Sequence, residues 1–290
     1  MQGDSVGEAR GEAVVAEGRL VLLPGRRFLL GGASCGFLLI GLVFSIIGPT
    51  LSPISETFGI SLARAGLLFS AQNFGFLATV LAAGIVSDVV GQRTVLLCGI
   101  ALLTVGMVAF AVAPVWGVAL ILMILVGFGY GVAEVTLNTT VGDAYPDRSG
   151  YALNFAHAFV GIGALLAPAM VALAAWGDVS WRYLYLGIGG YAALVLVALL
   201  RPTYPQTHRT GRPSLLHSAG GLVRNRWFVG IALLCFFQFA AEATIPGWTF
   251  SYLSEHLGRS DTYAGVVNAV YFAALLVGRM TIAPLVERVG

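Results

Sequence analysis

The chain has 290 residues, 58% hydrophobic and 10% charged, with a formal net charge of +2 and a mean hydropathy of +0.86. Soluble domains carry about 25% charged residues, so this composition excludes a water-soluble globule and places the chain in a bilayer. The small net charge gives no footing for a nucleic-acid partner.

The first residues, MQGDSVGEARGEAVVAEGRLVLLPGRR, mix acids and arginines ahead of any long apolar stretch. That is unlike a signal peptide and predicts a cytosolic tail over 1–27. A spanning helix needs about 20 mostly apolar residues. Eight segments qualify, over about 28–51, 63–87, 94–113, 115–142, 150–175, 182–200, 226–253 and 262–285. A link rich in Pro, Gly, Ser and Arg covers 201–225 and divides the chain into six helices over 28–200 and two over 226–290. The predicted class is all-α and polytopic.

Arginine placement sets the orientation. With the N-terminus in the cytosol, the cytosolic segments hold all the arginines except Arg64, Arg182 and Arg259 outside and Arg279 near the inner end of helix eight. A multi-pass protein of the plasma (inner) membrane with a cytosolic N-terminus follows. Cys35, Cys98 and Cys235 fall in apolar segments without metal-ligand spacing and read as small hydrophobes. No metal site is expected, because the histidines are scattered. Glycines in small-xxx-small spacing, such as Gly127 and Gly131 in helix four, read first as close helix packing.

Helix two ends in GIVSDVVGQR and helix eight in APLVERVG. Gly84, Asp88 and Gly91 in the first correspond to Ala283, Glu287 and Gly290 in the second, at the separation that maps one helix onto the other. A duplicated helix set is a mark of transporters. The stretch resembles the loop motif of the major facilitator superfamily, G-x-x-x-D-x-x-G-x-R/K, through Gly84, Asp88, Gly91 and Arg93; the second copy contributes Glu287, followed by Arg288. The family's usual basic residue is replaced by Gln92. Asp88 at a cytosolic helix end can pair with Arg93 or with a helix N-terminus, forming a latch between inner helix ends; a topology signal and helix stop is the alternative.

A second stretch, YGVAEVTLNTTVGDAYPDRSGYALNFAHAFVGIGALLAP, resembles the fucose–galactose–glucose:proton symporter branch and the related sodium-dependent glucose transporter-like proteins. In that branch helix four carries an acid and then an Asn, here Glu134 and Asn138, and helix five opens with L-N-x-A-Q/H, here Leu153 to His157. The resemblance implies a twelve-helix fold of which this chain holds eight, so that the chain reads as C-terminally truncated at Gly290 and is not expected to transport alone. A monomer is implied for the complete fold. The branch's helix-one acid is replaced by Ser45, which puts a proton site in helix one in doubt and keeps sodium open as the coupling ion.

The candidate site follows from polar residues inside spanning helices. A carboxylate at membrane depth costs about 2.5–3.5 kcal/mol on insertion scales, and only Glu134 and Glu242 lie well inside spans. Burial disfavours the charged form of a carboxyl, which suits either acid to carry a coupling proton. Gly127, Gly131, Glu134 and Asn138 share one helix face, where the glycines leave room for a substrate or for a neighbouring backbone. Asn154 and His157 in helix five join the site or meet headgroups; His157 exchanges protons near neutral pH. Helix seven offers Gln238 beside Glu242, helix two Gln72 and Asn73, and helix eight Asn268 and Tyr271. Gln238 is alternatively an interhelical hydrogen bond of about 0.6 kcal/mol. Trp248 and Tyr252 read as an interfacial anchor or, for Trp248, a platform for a sugar ring.

The expected function is a secondary active transporter of a sugar or similar small polar solute, working by alternating access with H+, or Na+, as coupling ion and no other cofactor. Its partners are the solute and membrane lipid. A drug or metabolite exporter of the same superfamily is the alternative; GIGALLAPAMVA in helix five lacks the glycines of the exporters' G-P-x-x-G-G motif. A membrane enzyme is the remote third, since no nucleophile–base pair is evident.

Overall fold

The computed structural model describes residues 25–205 and 224–289. The tail expected over 1–27 and the linker expected over 201–225 fall mostly outside the described residues.

The elements in order are α1 (Arg26–Ser45), α2 (Ile47–Phe58), α3 (Leu62–Ala65), α4 (Leu67–Val90), α5 (Gln92–Ala111), α6 (Trp116–Ala144), α7 (Ser149–Trp176), α8 (Trp181–Leu199), α9 (Arg226–Ser251), a π-helical turn (Tyr252–His256) and α10 (Asp261–Val289). Among the described residues, six helices are long and apolar enough to cross a membrane. Side chains such as Phe74, Leu77, Ile121 and Leu194 lie exposed on the outside of the bundle, as a surface solvated by lipid allows.

Helix one differs from the expected 28–51. It runs to Phe58, broken at Ile46 into α1 and α2. Pro49 has no N–H to give the Ser45 carbonyl, and its ring crowds that carbonyl. The break falls one residue beyond Ser45, and Pro53 lies within α2. The segment then stops at Gly59, whose φ of 60° is left-handed. The Gly59 and Ile60 N–H groups close back on the carbonyls of Glu56 and Ser55, a Schellman end that favours glycine.

Inside the bundle, α6 lies between α4 and α5, while α1 packs against α7 and α8. Between lipid-solvated helices there is little hydrophobic drive, so close backbone approach supplies the cohesion. Gly75 and Gly127 bring α4 and α6 into backbone contact, Gly99 and Gly129 do so for α5 and α6, and Gly41 and Gly163 for α1 and α7. From the second set of helices, α10 packs along α7.

The end of the bundle opposite the α1 N-terminus is closed by Arg182 at the start of α8. Its guanidinium donates to the carbonyls of Ala111 and Ala113 at the end of α5 and lies 4.8 Å from the Trp181 ring centroid. A cation at a helix C-terminus meets both the orphan carbonyls and the dipole. Trp181 Nε1 donates to Thr57 Oγ1 at 2.9 Å, which ties α8 to α2. Arg182→Ala is expected to destabilise the bundle by about 1.5–3 kcal/mol, the range for hydrogen bonds to a charged group. Thermal unfolding in detergent checks this; Arg182→Lys keeps the charge but loses the planar fork and should recover only part of the loss.

Candidate functional site

The polar centre is built on α6. Tyr130, Glu134 and Asn138 succeed one another at the i, i+4 spacing that stacks side chains on one face. The Tyr130 ring lies 4.9 Å from that of Phe76 on α4. Asn138 Nδ2 donates to the Glu134 backbone carbonyl at 2.9 Å. Asn138 Oδ1 is 2.8 Å from His157 Nε2 on α7, which requires the proton on that nitrogen when the amide is oriented in this way. The His157 ring packs against Phe37 of α1 with centroids 4.6 Å apart. Four helices, α1, α4, α6 and α7, thus meet around a half-buried polar cluster within an apolar bundle.

Glu242 is half-buried on α9. Tyr130 itself was missed by the sequence reasoning; its place four residues before Glu134 was the available signal.

The other candidates are placed differently. Gln72 is buried and donates to the Val43 carbonyl at 3.3 Å, near the break in helix one, so it serves the α1–α4 seam. Asn73, exposed, and Asn154 each fold their amide onto the carbonyl four residues back. Gln238 is exposed on α9, and Trp248 is 72% exposed. On α10, Asn268 and Tyr271 are half-buried, and the Tyr271 ring packs beside Phe272.

The glycines preceding Glu134 resolve to the packing alternative. A Cβ on Gly127 would strike the Gln72 carbonyl, and one on Gly131 would strike Thr79 Oγ1 and the Phe76 backbone. That space is filled by α4, so these glycines leave no clearance for a substrate.

At the end of the bundle that holds the α1 N-terminus, the loop motif lines an open groove of about 660 Å³ between the α4–α5 turn and the exit of α8. Gly91 makes the turn with φ of 96°. Arg93 Nη2 donates to the Leu200 carbonyl at 2.9 Å, so it caps α8. Asp88 is exposed on the wall of the same groove. Burial pushes the Tyr204 phenol up to about 12, against the opposing charge of Arg93, so it remains a donor and reaches the Leu199 carbonyl at 2.7 Å. Gln92 donates to Asp143 at the end of α6. Glu287 and Arg288 fall in the last turn of α10, and their side chains lie outside the described residues.

The helices and the polar line first define a class: an all-helical, multi-pass membrane protein with a polar centre inside its bundle. The chain belongs to the Major Facilitator Superfamily, whose family model matches residues 33–290. It is 23% identical over 275 residues to the sodium-dependent glucose transporter 1A of Mus musculus, covering 81% of this chain and 64% of that protein. It is 29% identical over 195 residues to the 3-(3-hydroxy-phenyl)propionate transporter of Escherichia coli (strain K12), covering 65% of this chain and 45% of the relative. Among solved structures, the fucose:proton symporter of E. coli matches with a TM-score of 0.72 at 19% identity, over 91% of this chain and 72% of that one. A D-xylose-proton symporter matches with a TM-score of 0.69 at 17% identity, over 90% and 69%. At such identities the two structures show the fold alone. The chain spans 64% of the length of its mouse relative.

Proposed function

We propose that the protein moves a sugar or similar small polar solute across the plasma (inner) membrane by alternating access, coupled to protons. The observation that carries this reading is the row of Tyr130, Glu134 and Asn138 on one face of α6, with Asn138 hydrogen-bonded to His157 on α7. A carboxyl and an imidazole exchange protons, and the same groups with the Asn amide both donate to and accept from hydroxyls. Glu134 is the principal coupling or substrate acid, Glu242 the second, and His157 assists. In this reading α9 and α10 are the seventh and eighth spans of a twelve-helix fold, the N-terminus is cytosolic, and the working unit is a monomer in lipid. The Asp88–Arg93 motif acts at the inner helix ends.

Sodium in place of the proton is supported by Ser45, where the symporter branch has an acid, and by the mouse relative's sodium dependence. A metabolite carrier is the second reading, favoured by the similarity to an aromatic-acid transporter. Superfamily membership sets aside the membrane-enzyme alternative.

Uptake of radiolabelled glucose, xylose and fucose into proteoliposomes holding the full-length protein tests this. An inward proton gradient is expected to accumulate at least one of them and to outperform a sodium gradient. Uptake of an aromatic acid with none of the sugars would overturn the sugar reading. Accumulation driven by sodium alone would replace the coupling ion.

A further inference from the structure

We propose that a groove beside Arg182 binds the phosphate of an anionic phospholipid, held by the edge of the guanidinium that the fold leaves unspent. The groove, of about 470 Å³, is lined by residues 111–114 at the end of α5 and by Ser180, Arg182 and Tyr183 at the start of α8. A guanidinium carries five N–H donors in one plane. Here Nη1 and Nη2 both donate to the Ala113 carbonyl, and Nη1 donates to that of Ala111 as well. An oxygen shared by Nη1 and Nη2 sits between them. The Nε–H and the outer Nη2–H therefore remain, side by side and pointing the same way, with no acceptor among the described residues. The ring centroids of Trp181 and Phe58 lie 4.8 Å and 5.8 Å from Cζ and hold the plane in place. Such a fixed pair of in-plane donors is what grips two oxygens of a phosphate.

Charge and depth select the ligand. Among the described residues no carboxylate lines the groove, and Arg182 has no salt-bridge partner there, exposed Asp178 in the preceding turn included. The positive charge is thus unmatched by the protein. A zwitterionic headgroup would bring an ammonium for which the groove has no acid, so complementarity favours a headgroup of net negative charge. Both α5 and α8 are long and apolar enough to span a membrane, and the groove lies where one ends and the other begins, at the level of the headgroups. Val112 is exposed beside it, and the strip continues along α5 through exposed Val108 and Val105. That strip suits acyl chains and offers a free phosphate nothing. Tyr183 is exposed at the same level, where tyrosines favour the membrane interface. The Ser180 hydroxyl accepts from the Arg182 backbone N–H at 3.4 Å and keeps its own O–H to donate.

The full-length protein in phosphatidylcholine vesicles, with a trace of phosphatidylglycerol carrying a photoreactive group near the top of one acyl chain, tests the site. Labelling is expected in the peptides holding Val108 and Tyr183. It should fall when unlabelled phosphatidylglycerol is added and persist when soluble glycerol phosphate is added. The same group on phosphatidylcholine should label these peptides far less. Arg182→Lys keeps the charge and loses the fork; labelling should drop about tenfold, as for loss of a hydrogen bond to a charged group, relative to labelling elsewhere on the chain. Val112→Trp fills the groove from an exposed position and leaves the Arg182 bonds intact, so it serves if Arg182→Lys does not fold; labelling of the Tyr183 peptide should drop there too. Equal labelling by the two lipids overturns the charge argument, and displacement by glycerol phosphate overturns the lipid as ligand. Undiminished labelling in the folded variants overturns the site. Each of these results is independent of which solute the protein carries.

Discussion

Glu134→Gln is expected to reduce proton-driven uptake by the full-length protein to the level of empty vesicles, while exchange of solute between the two sides survives. The amide keeps the shape of the carboxyl and its capacity to meet a hydroxyl, but it has no proton to release. The bond from Asn138 goes to the Glu134 backbone carbonyl and is untouched by the change, and an amide oxygen accepts hydrogen bonds as a carboxylate does. The local structure is thereby preserved and the titration alone removed. Proteoliposomes preloaded with unlabelled sugar measure exchange, and an imposed pH step measures driven uptake. Accumulation at the unaltered level in Glu134→Gln would transfer the coupling role to Glu242 or to sodium. Glu242→Gln, by contrast, should weaken coupling less, since Glu134 lies one turn from Asn138, which is bonded to His157.

The second large effect is on folding. Gly41→Ala and Gly163→Ala place a Cβ against the carbonyls of Val160 and Leu38, respectively. Both obstacles are backbone, so no rotamer change can relieve the clash and the helices must separate. Overpacking typically costs about 1–3 kcal/mol, and occasionally more. These seams belong at the upper end because each clash opens a helix interface and not a single side-chain contact. Gly187→Ala in α8 is the control: a Cβ there meets nothing within 4 Å, and its stability should hold or rise by up to about 1 kcal/mol from helix propensity. Unfolding temperatures in detergent decide the matter. Equal temperatures for Gly41→Ala and Gly187→Ala would remove the α1–α7 seam as a source of cohesion.

The helices were legible because apolar runs of spanning length are nearly unambiguous, and most of their bounds differ from expectation by a few residues. Helix one was the exception. The expected span stopped at residue 51, but a proline such as Pro49 interrupts one hydrogen bond and the chain resumes as α2. In the site, Glu134, Asn138 and His157 could be singled out because polar groups are rare at membrane depth. Their contact could not, since it depends on how α6 and α7 cross. The glycine spacing gave the face of α6 but not what lies opposite, and α4 occupies it. Tyr130 passed unnoticed because a tyrosine in a hydrophobic helix is ordinarily apolar filling; only its i, i+4 relation to Glu134 distinguishes it. Gln92 read as a lost charge, whereas its partner is Asp143, 51 positions further along the chain.

The glycine crossing between α1 and α7 also has a mechanical consequence. Contacts between long side chains behave as soft joints, because a rotamer flip absorbs a small displacement. Carbonyl-to-backbone contact has no such slack. Helix α10 bears on α7, and α7 bears on α1 through Gly41 and Gly163. A push delivered by α10 therefore moves α7 and α1 as one stiff beam, and His157 with Phe37 rides on that beam. The polar line on α6 is braced separately by the glycine contacts to α4 and α5. The hydrogen bond between Asn138 and His157 spans these two rigid parts, so its length is a natural strain gauge for any motion between them.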